Sequence, residues 1–331
     1  MKEELKPIYW LYYVTTSGSI PKMVLSNHTR EKLLQYHYGR SHNGKKINLK
    51  NPERFSEKIA WYKLFYDNKD FEKYLCKIKF KDFVRETVGD GYTAKLYGAW
   101  TNVDDIDWDA LPKSFVLKSN CSSFGRNIIF IEDKDTVDFE ELKKTIVRWL
   151  DYRIEAVNGY SRGYYYVTPQ IFAEELLGEI KEQPVDYKIF CFDGVPTYSY
   201  SAFEHFDNGV AQSSKIAMYD MDWNVLPVIY KNSQCVPVEK PKHFEEMKQI
   251  AAKLSKDIPF VRVDFYDTDD RLLIGEMTFY SGGLDLYFTP DIFDFEMGKH
   301  FVLPKKSKSH RMFRKGLQKT IKVKYKRPAQ K

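Results

Sequence analysis

The chain has 331 residues, 43% of them hydrophobic and 30% charged, with a formal net charge of +6. That is the composition of a folded soluble protein, long enough for about two domains with a sizeable core. Four dispersed cysteines (Cys76, Cys121, Cys191, Cys235) form no C-x-x-C pair and no Cys/His cluster at zinc spacing, which argues against a disulfide framework or a structural zinc site.

The N-terminus, MKEELKPIYWLYYVTT, has an apolar run only from Ile8 to Val14, with no charged n-region and no small-residue cleavage site. It fits neither a signal peptide nor a membrane span, so a cytoplasmic location is expected. A helix is expected around Thr29 to His37. Another is expected after Asn51-Pro52, where Asn can cap and Pro tolerates the first turn. Phe55, Ile59, Tyr62 and Tyr66 recur at helical spacing and mark its buried face. A further helix over 69–86 is basic on its outer side, and a structural role is expected for all three. Residues 90–112 read as a connector with one short strand.

From Ser114 the pattern changes to strand (114–118), small-residue loop (119–126), strand (127–132) and amphipathic helix (138–150). A run of strand candidates then follows (168–177, 186–192, 197–203, 211–219), with Asp193-Gly194 and Asp207-Asn208-Gly209 as turns. A helix over 243–256 buries Met247, Ile250, Ala251 and Leu254. Next comes a hairpin over Pro259 to Gly283, in which alternation puts Arg262 and Asp264 on one face of one strand and Glu276 and Thr278 on one face of the other. Carboxylates this close repel unless a cation lies between them, and hard oxygen ligands suit Mg²⁺. An ordinary hairpin with a solvated polar face gives the same pattern, and both readings stand. Residues 305–331 hold 12 Lys and Arg and no acid, so the rest of the chain carries a balance of −6. The element order is that of an α+β protein.

Lys118 precedes the loop Ser119-Asn120-Cys121-Ser122-Ser123-Phe124-Gly125-Arg126, whose small residues can admit phosphate oxygens to backbone N–H groups. No P-loop or dinucleotide fingerprint is present. Glu174 and Glu175 end an apolar run and point to opposite faces, while Asp186 and Lys188 share a face.

Taken in order, NPERFSEKIAWYKL, LPKSFVLKSN, FAEELL, DYKIFCFDG and RVDFY…GEMTFYSGG resemble the TupA-like ATP-grasp family over about Asn51 to Leu303. The resemblance implies an ATP-grasp fold, two α+β lobes with ATP between them, preceded by a largely helical region. The expected divisions are 1–110 (helical and connector), 111–172 (first lobe), 173–304 (second lobe with the metal-binding hairpin) and 305–331 (basic tail). By the same resemblance, Lys118, Ser122, Ser123, Gly125, Arg126, Glu174, Glu175 and Lys188 contact ATP. Arg262 and Lys188 act on the transferring phosphoryl group, and Asp264, Glu276 and Thr278 hold Mg²⁺, with Thr278 standing where Asn is usual. Ser281, Gly282 and Gly283 meet the acceptor.

The implied activity is an ATP-dependent ligase that joins an amino acid or amine to a uronic-acid-type carboxylate of a surface polysaccharide or its precursor. Asp264→Asn and Glu276→Gln are expected to abolish ADP release with thermal unfolding nearly unchanged. Two alternatives are a glycan kinase and a glycosyltransferase using one of four Asp-x-Asp sequences (Asp105-Asp107, Asp107-Asp109, Asp220-Asp222, Asp267-Asp269). The basic tail fits a solvated end, an RNA-binding segment or an anionic inner-leaflet surface, and the resemblance, which implies glycan substrates made at the membrane, favours the last over nucleic acid.

Overall fold

The structure, a computed structural model, describes residues 27–68, 70–122, 127–151, 163–164, 167–177, 185–203, 206–207, 210–211, 215–268, 271–282 and 285–307. The expectations for Ser123, Gly125, Arg126 and Gly283, and for residues 308–331 of the tail, therefore lie outside the described residues.

The chain enters through α1 (Asn27–Ser41), α2 (Phe55–Phe65), α3 (Phe71–Leu75) and α4 (Lys77–Val88). α2 starts three residues after Pro52. Its cap is the Glu57 carboxylate, which reaches back to the amides of Glu53 and Arg54 at 3.0 and 3.2 Å, while Asn51 instead donates its amide to Asn48. The single helix expected over 69–86 is two, because Cys76 is extended (φ −73°, ψ 108°) and 97% buried between them.

A four-stranded antiparallel sheet follows, built from β1 (Leu96–Trp100), β2 (Phe115–Ser119), β3 (Ile128–Ile131) and β4 (Ile171–Glu174) in the order β1-β4-β2-β3. Its β1 precedes the boundary expected at residue 110. α5 (Phe139–Asp151) covers this sheet, with its first turn capped by Asp138, whose carboxylate accepts from the amides of Glu140 and Glu141. Ile146 and Trp149 of α5 join Phe115, Leu117, Ile171 and Ala173 in a separate core.

The second sheet is larger. β5 (Asp186–Phe192), β6 (Val195–Phe203), the short pair β7 (Phe206–Asp207) and β8 (Val210–Ala211), β9 (Lys215–Tyr219) and β10 (Ile229–Tyr230) come first. They are followed by α6 (Phe244–Leu254), β11 (Val261–Asp267), β12 (Leu272–Thr278), β13 (Phe288–Thr289) and α7 (Ile292–His300). Five of these strands make an antiparallel sheet in the order β12-β11-β5-β6-β9.

Helices α2, α3 and α4 belong to the core of this second sheet, whereas Leu33, Leu34 and Tyr38 of α1 pack with Ala60 and Leu64 of α2 in a smaller cluster. Phe55 of α2 is fully buried, with ring centroids 4.9 Å from Phe260, 5.8 Å from Phe192 and 6.0 Å from Phe190. Edge-on aromatic contacts of this kind add about 0.5–1.5 kcal/mol each beyond area burial. α7 crosses α2 so closely that a Cβ on Gly298 would stand 2.0 Å from the Glu53 carbonyl oxygen. Two histidines tie α1 and its end to the loop beyond β12: His37 to the Asp285 carboxylate at 3.1 Å, and His42 to the Leu286 carbonyl at 2.7 Å.

Candidate nucleotide and phosphoryl-transfer site

The hairpin β11–β12 has the expected register, with Arg262 opposite Thr278 and Asp264 opposite Glu276. Beyond Asp264 the register shifts, so that Phe265 faces Ile274 and Gly275 is left as the extra residue of a bulge. Strict alternation would have put Ile274 on the polar face with Glu276 and Thr278. The bulge returns it to the core beside Met277, both 3% exposed, and leaves the polar face for the site.

That face extends across four strands. Glu276, Asp264, Lys188 and Tyr200 are successive cross-strand partners on β12, β11, β5 and β6. Arg262 stands in the adjacent row and fastens it. Its Nε donates to Asp264 Oδ1 at 2.6 Å and its Nη2 to Oδ2 at 2.5 Å. It also donates to the Tyr200 hydroxyl at 2.9 Å, the Thr278 hydroxyl at 3.1 Å and the Ser281 hydroxyl at 3.3 Å. Lys188 Nζ lies 3.0 Å from both Asp264 Oδ2 and Asp186 Oδ2.

Burial opposes the positive charge on Lys188, but Asp186 and Asp264 outweigh it and hold the pKa well above the usual lysine value. Burial likewise opposes Arg262, and Asp264 reverses the sign. Partial burial raises the Glu276 pKa, and Lys77, Arg262 and Lys188 more than offset this, holding it at about 2.

Asp264 is 2% exposed, and both of its oxygens accept from buried cations. This corrects the expectation that Asp264→Asn would leave unfolding nearly unchanged, because removing one partner of a buried charge cluster leaves the others uncompensated.

On the first sheet, Lys118 Nζ donates to Glu174 Oε1 at 2.5 Å, and Lys81 of α4 reaches Oε2 at 2.7 Å. Burial raises the Glu174 pKa, but Lys118 and Lys81 overcome it and hold the value at about 2. Glu175 points elsewhere, as alternation requires. It pairs with Arg271 at the hairpin tip and accepts from the Lys95 amide at 3.1 Å, while its own amide donates to the Lys95 carbonyl. Glu174 and Glu175 therefore bridge different elements.

Ser122 turns inward, its hydroxyl donating to the Ser119 carbonyl at 3.1 Å. Ser281 is fully buried under Arg262, and Gly282 (φ +67°) makes the turn that follows, where a Cβ would meet the Tyr230 hydroxyl at 2.8 Å.

The donor set is all oxygen. Among the described residues no group of three His, Cys, Asp or Glu side chains could hold a metal by itself. Three carboxylates (Asp186, Asp264, Glu276) face three cations (Lys77, Lys188, Arg262), so the cluster is neutral. Such a site suits Mg²⁺ that arrives with phosphate ligands, since Mg²⁺ is commonly held by one or two carboxylates plus substrate phosphates and water. Glu276 is the open carboxylate, its side chain 42% exposed. Asp186 Oδ1 is buried without a hydrogen-bond partner, an acceptor that a bound donor or cation would satisfy.

Sequence reasoning missed Tyr200, Arg271, Lys77 and Lys81. The last two belong to the segment expected to be a helix with a basic outer side. Their i, i+4 spacing was the available signal, and the break at Cys76 is what turns that stripe inward. Two of the Asp-x-Asp sequences serve turns, while Asp267 ends β11 and holds His243, and Asp269 lies outside the described residues. Asp107 Oδ1 accepts from the amides of Asp109 and Ala110, and Asp220 Oδ1 from those of Asp222 and Asn224.

A family model described as TupA-like ATP-grasp matches residues 57–302. No curated protein matches the chain. Similar solved structures include D-alanine–D-alanine ligase from Bacillus anthracis complexed with ATP, at 16% identity and TM-score 0.40, covering 63% of this chain and 57% of that one. N5-carboxyaminoimidazole synthetase from Staphylococcus aureus complexed with ADP is similar at 13% identity and TM-score 0.40, covering 79% and 53%. The ATP-grasp ligase PsnB with minimal precursor, Mg and ADP is similar at 10% identity and TM-score 0.39, covering 69% and 59%. This chain thus spans little more than half the length of each.

Proposed function

The chain belongs to the TupA-like ATP-grasp family, and on that premise we propose that it is an ATP-dependent carboxylate–amine ligase of surface-polysaccharide synthesis. Its substrates are a uronic-acid-type carboxylate, on a glycan or its precursor, and an amino acid or other amine. A carboxylate oxygen attacks the γ-phosphorus of ATP, the bond to the bridging oxygen breaks, and ADP leaves. The amine nitrogen then attacks the acyl carbon and gives up a proton as phosphate departs.

The observation that carries this reading is the row Glu276–Asp264–Lys188–Tyr200 with Arg262 fastened across it. Phosphoryl transfer needs positioned cations more than covalent chemistry from the protein. Lys118 and Lys188 bind phosphate oxygens, and Arg262 steadies the transferring group. The backbone at Ser122, with Ser123, Gly125 and Arg126, lines the phosphates, and Glu174 and Glu175 mark the hinge beside the nucleoside. Gly282 and Gly283 meet the acceptor, while Ser281, fully buried, accepts from Arg262 and positions it. Asp264 and Glu276, with Thr278 as a weaker oxygen donor, hold Mg²⁺, which supplies charge neutralisation at the phosphates. The protein works in the cytoplasm, and its tail rests on the anionic inner leaflet. The first residues of that segment pack on α2 and the turn after it, where Ser307 bonds to Phe65 and Asp67 and Lys306 lies 3.8 Å over the Phe65 ring. Among the described residues no helix is long and apolar enough to cross a membrane.

The test is ADP release across a matrix of sugar acids and amino acids with MgATP. ADP formation that requires both partners supports the ligase. A stable phosphorylated glycan without amine makes the protein a kinase. Thermal protection by UDP- or GDP-sugars but not by MgATP defeats the reading.

A further inference from the structure

A cavity of about 350 Å³ lies between the residues that follow α2, the helices α3 and α4, and the C-terminal end of α6. That volume is in the range of small-molecule sites. Phe71 and Leu254 give it an apolar floor, each 1% exposed. The cavity is separate from the phosphoryl-transfer cluster. Phe71 packs at 4.4 Å on Phe279, beyond the end of β12, and the Ala251 carbonyl of α6 meets Cys191 of β5, which alternation puts on the face opposite Lys188.

Its walls are aromatic and its rim is charged. Tyr66, Tyr74 and Phe83 line it half-buried, with Tyr66 stacked on Tyr62 at 4.8 Å and Tyr74 edge-on to Phe83 at 4.8 Å. Lys73 Nζ stands 4.8 Å over the Tyr74 ring and 5.4 Å over the Phe83 ring, so two rings fix one ammonium group beside the cavity. Lys253, Lys256, Asp70 and Asp257 complete the rim, all exposed. Among the described residues, none of these three ammonium groups and two carboxylates lies within 4.0 Å of an opposite charge. Elsewhere on the surface such pairs close: Lys79 with Glu72, Arg85 with Asp82 and Lys240 with Glu245, at 2.6–2.8 Å.

Opposite charges left apart in one cavity suit a ligand that carries both an anion and hydroxyl donors on a frame with apolar faces. An acidic sugar has all three. Its carboxylate accepts from ammonium groups, its hydroxyls donate to carboxylates, and its C–H face covers aromatic rings. We propose that this cavity is a second glycan site, which holds an acidic sugar residue of the acceptor away from the reaction centre. This rests on the glycan reading above and adds to it a polymeric acceptor, since one residue bound here raises the local concentration of its neighbours in the same chain.

The test is calorimetric titration of the full chain with three probes at physiological salt: trigalacturonate, the neutral maltotriose, and triglutamate, which is anionic without sugar rings. Trigalacturonate should bind about ten-fold more tightly than either of the others. Lys73→Met keeps the stem over the rings and removes the charge, and it should weaken trigalacturonate about ten-fold. Asp257→Asn, which suits the φ of +62° at that position, separates recognition from simple attraction. It should weaken trigalacturonate several-fold, because a hydroxyl loses its charged acceptor, yet strengthen triglutamate, because a repulsion is gone. Both positions are exposed, so unfolding midpoints should match wild type.

No binding of trigalacturonate, equal affinity for the three probes, trigalacturonate binding unchanged in both variants, or Asp257→Asn strengthening both anionic probes overturns the proposal. ADP release from a sugar acid and an amine, measured separately, then still stands for the ligase. Conversely, no ADP release with any sugar acid, while trigalacturonate binding still depends on Lys73 and Asp257, defeats the ligase reading and leaves this site.

Discussion

Glu174→Gln tests whether the first sheet is held to α4 by charge. The carboxylate is 9% exposed and accepts from two lysines, Lys118 at 2.5 Å and Lys81 at 2.7 Å. Its pKa is held at about 2, against 4.5 in the unfolded chain, by the two ammonium groups acting against burial. At about 1.4 kcal/mol per pKa unit, that difference is about 3 kcal/mol of stability at neutral pH. The substitution keeps the shape and removes the charge, leaving two lysines facing each other. Breaking a buried pair costs about 3–5 kcal/mol, and Lys118 is 26% exposed, so water recovers part of it. A loss of about 3 kcal/mol at pH 7 is expected.

The sign of the pH dependence follows from the depressed pKa. The contribution is present in full above 4.5 and is lost as pH falls from there toward about 2. Urea unfolding of wild type and Glu174→Gln, followed by circular dichroism and tryptophan fluorescence, should show a gap that shrinks by more than half near pH 3. A gap below about 1 kcal/mol at pH 7, or one that stays constant down to pH 3, would show that the two lysines do not set the energy of this carboxylate.

Further expectations concern the second sheet and its helices. Asp264→Asn should lower stability by about 3 kcal/mol or more, because Arg262 and Lys188 lose their shared partner in a buried setting, whereas Glu276→Gln should change it by less than about 1 kcal/mol, because the Glu276 side chain is 42% exposed and water screens its partners. Both should abolish ADP release, and equal unfolding midpoints for the two would contradict the burial argument. Gly298→Ala should cost about 3 kcal/mol or force α7 off α2, since its new methyl would meet a carbonyl oxygen at 2.0 Å. Thermal unfolding measures this directly, and a neutral result would mean the two helices are not in that contact. Removing residues 308–331 should abolish binding to vesicles rich in anionic lipid in a flotation assay, with no effect on unfolding. Retained binding would move membrane attachment elsewhere on the chain.

Much of the site was legible because its signals are local. Side chains alternate along any strand, so Arg262 and Asp264 had to share a face, as did Glu276 and Thr278, whatever the strands paired with. The same rule sent Glu174 and Glu175 to different partners, Lys118 with Lys81 for one and Arg271 for the other. The order of the motifs along the chain carried the family resemblance.

What the sequence by itself determined, then, was which residues could act together along each strand. Tertiary structure alone decided which strands and helices met. The Gly275 bulge frees the polar face of β12, and a register spanning more than seventy residues brings Lys188 and Tyr200 beside Asp264. The break at Cys76 turns Lys77 and Lys81 inward. Alternation is a property of the backbone at each residue. Register and helix placement depend on how distant apolar side chains share one core, and no short stretch of sequence contains that information.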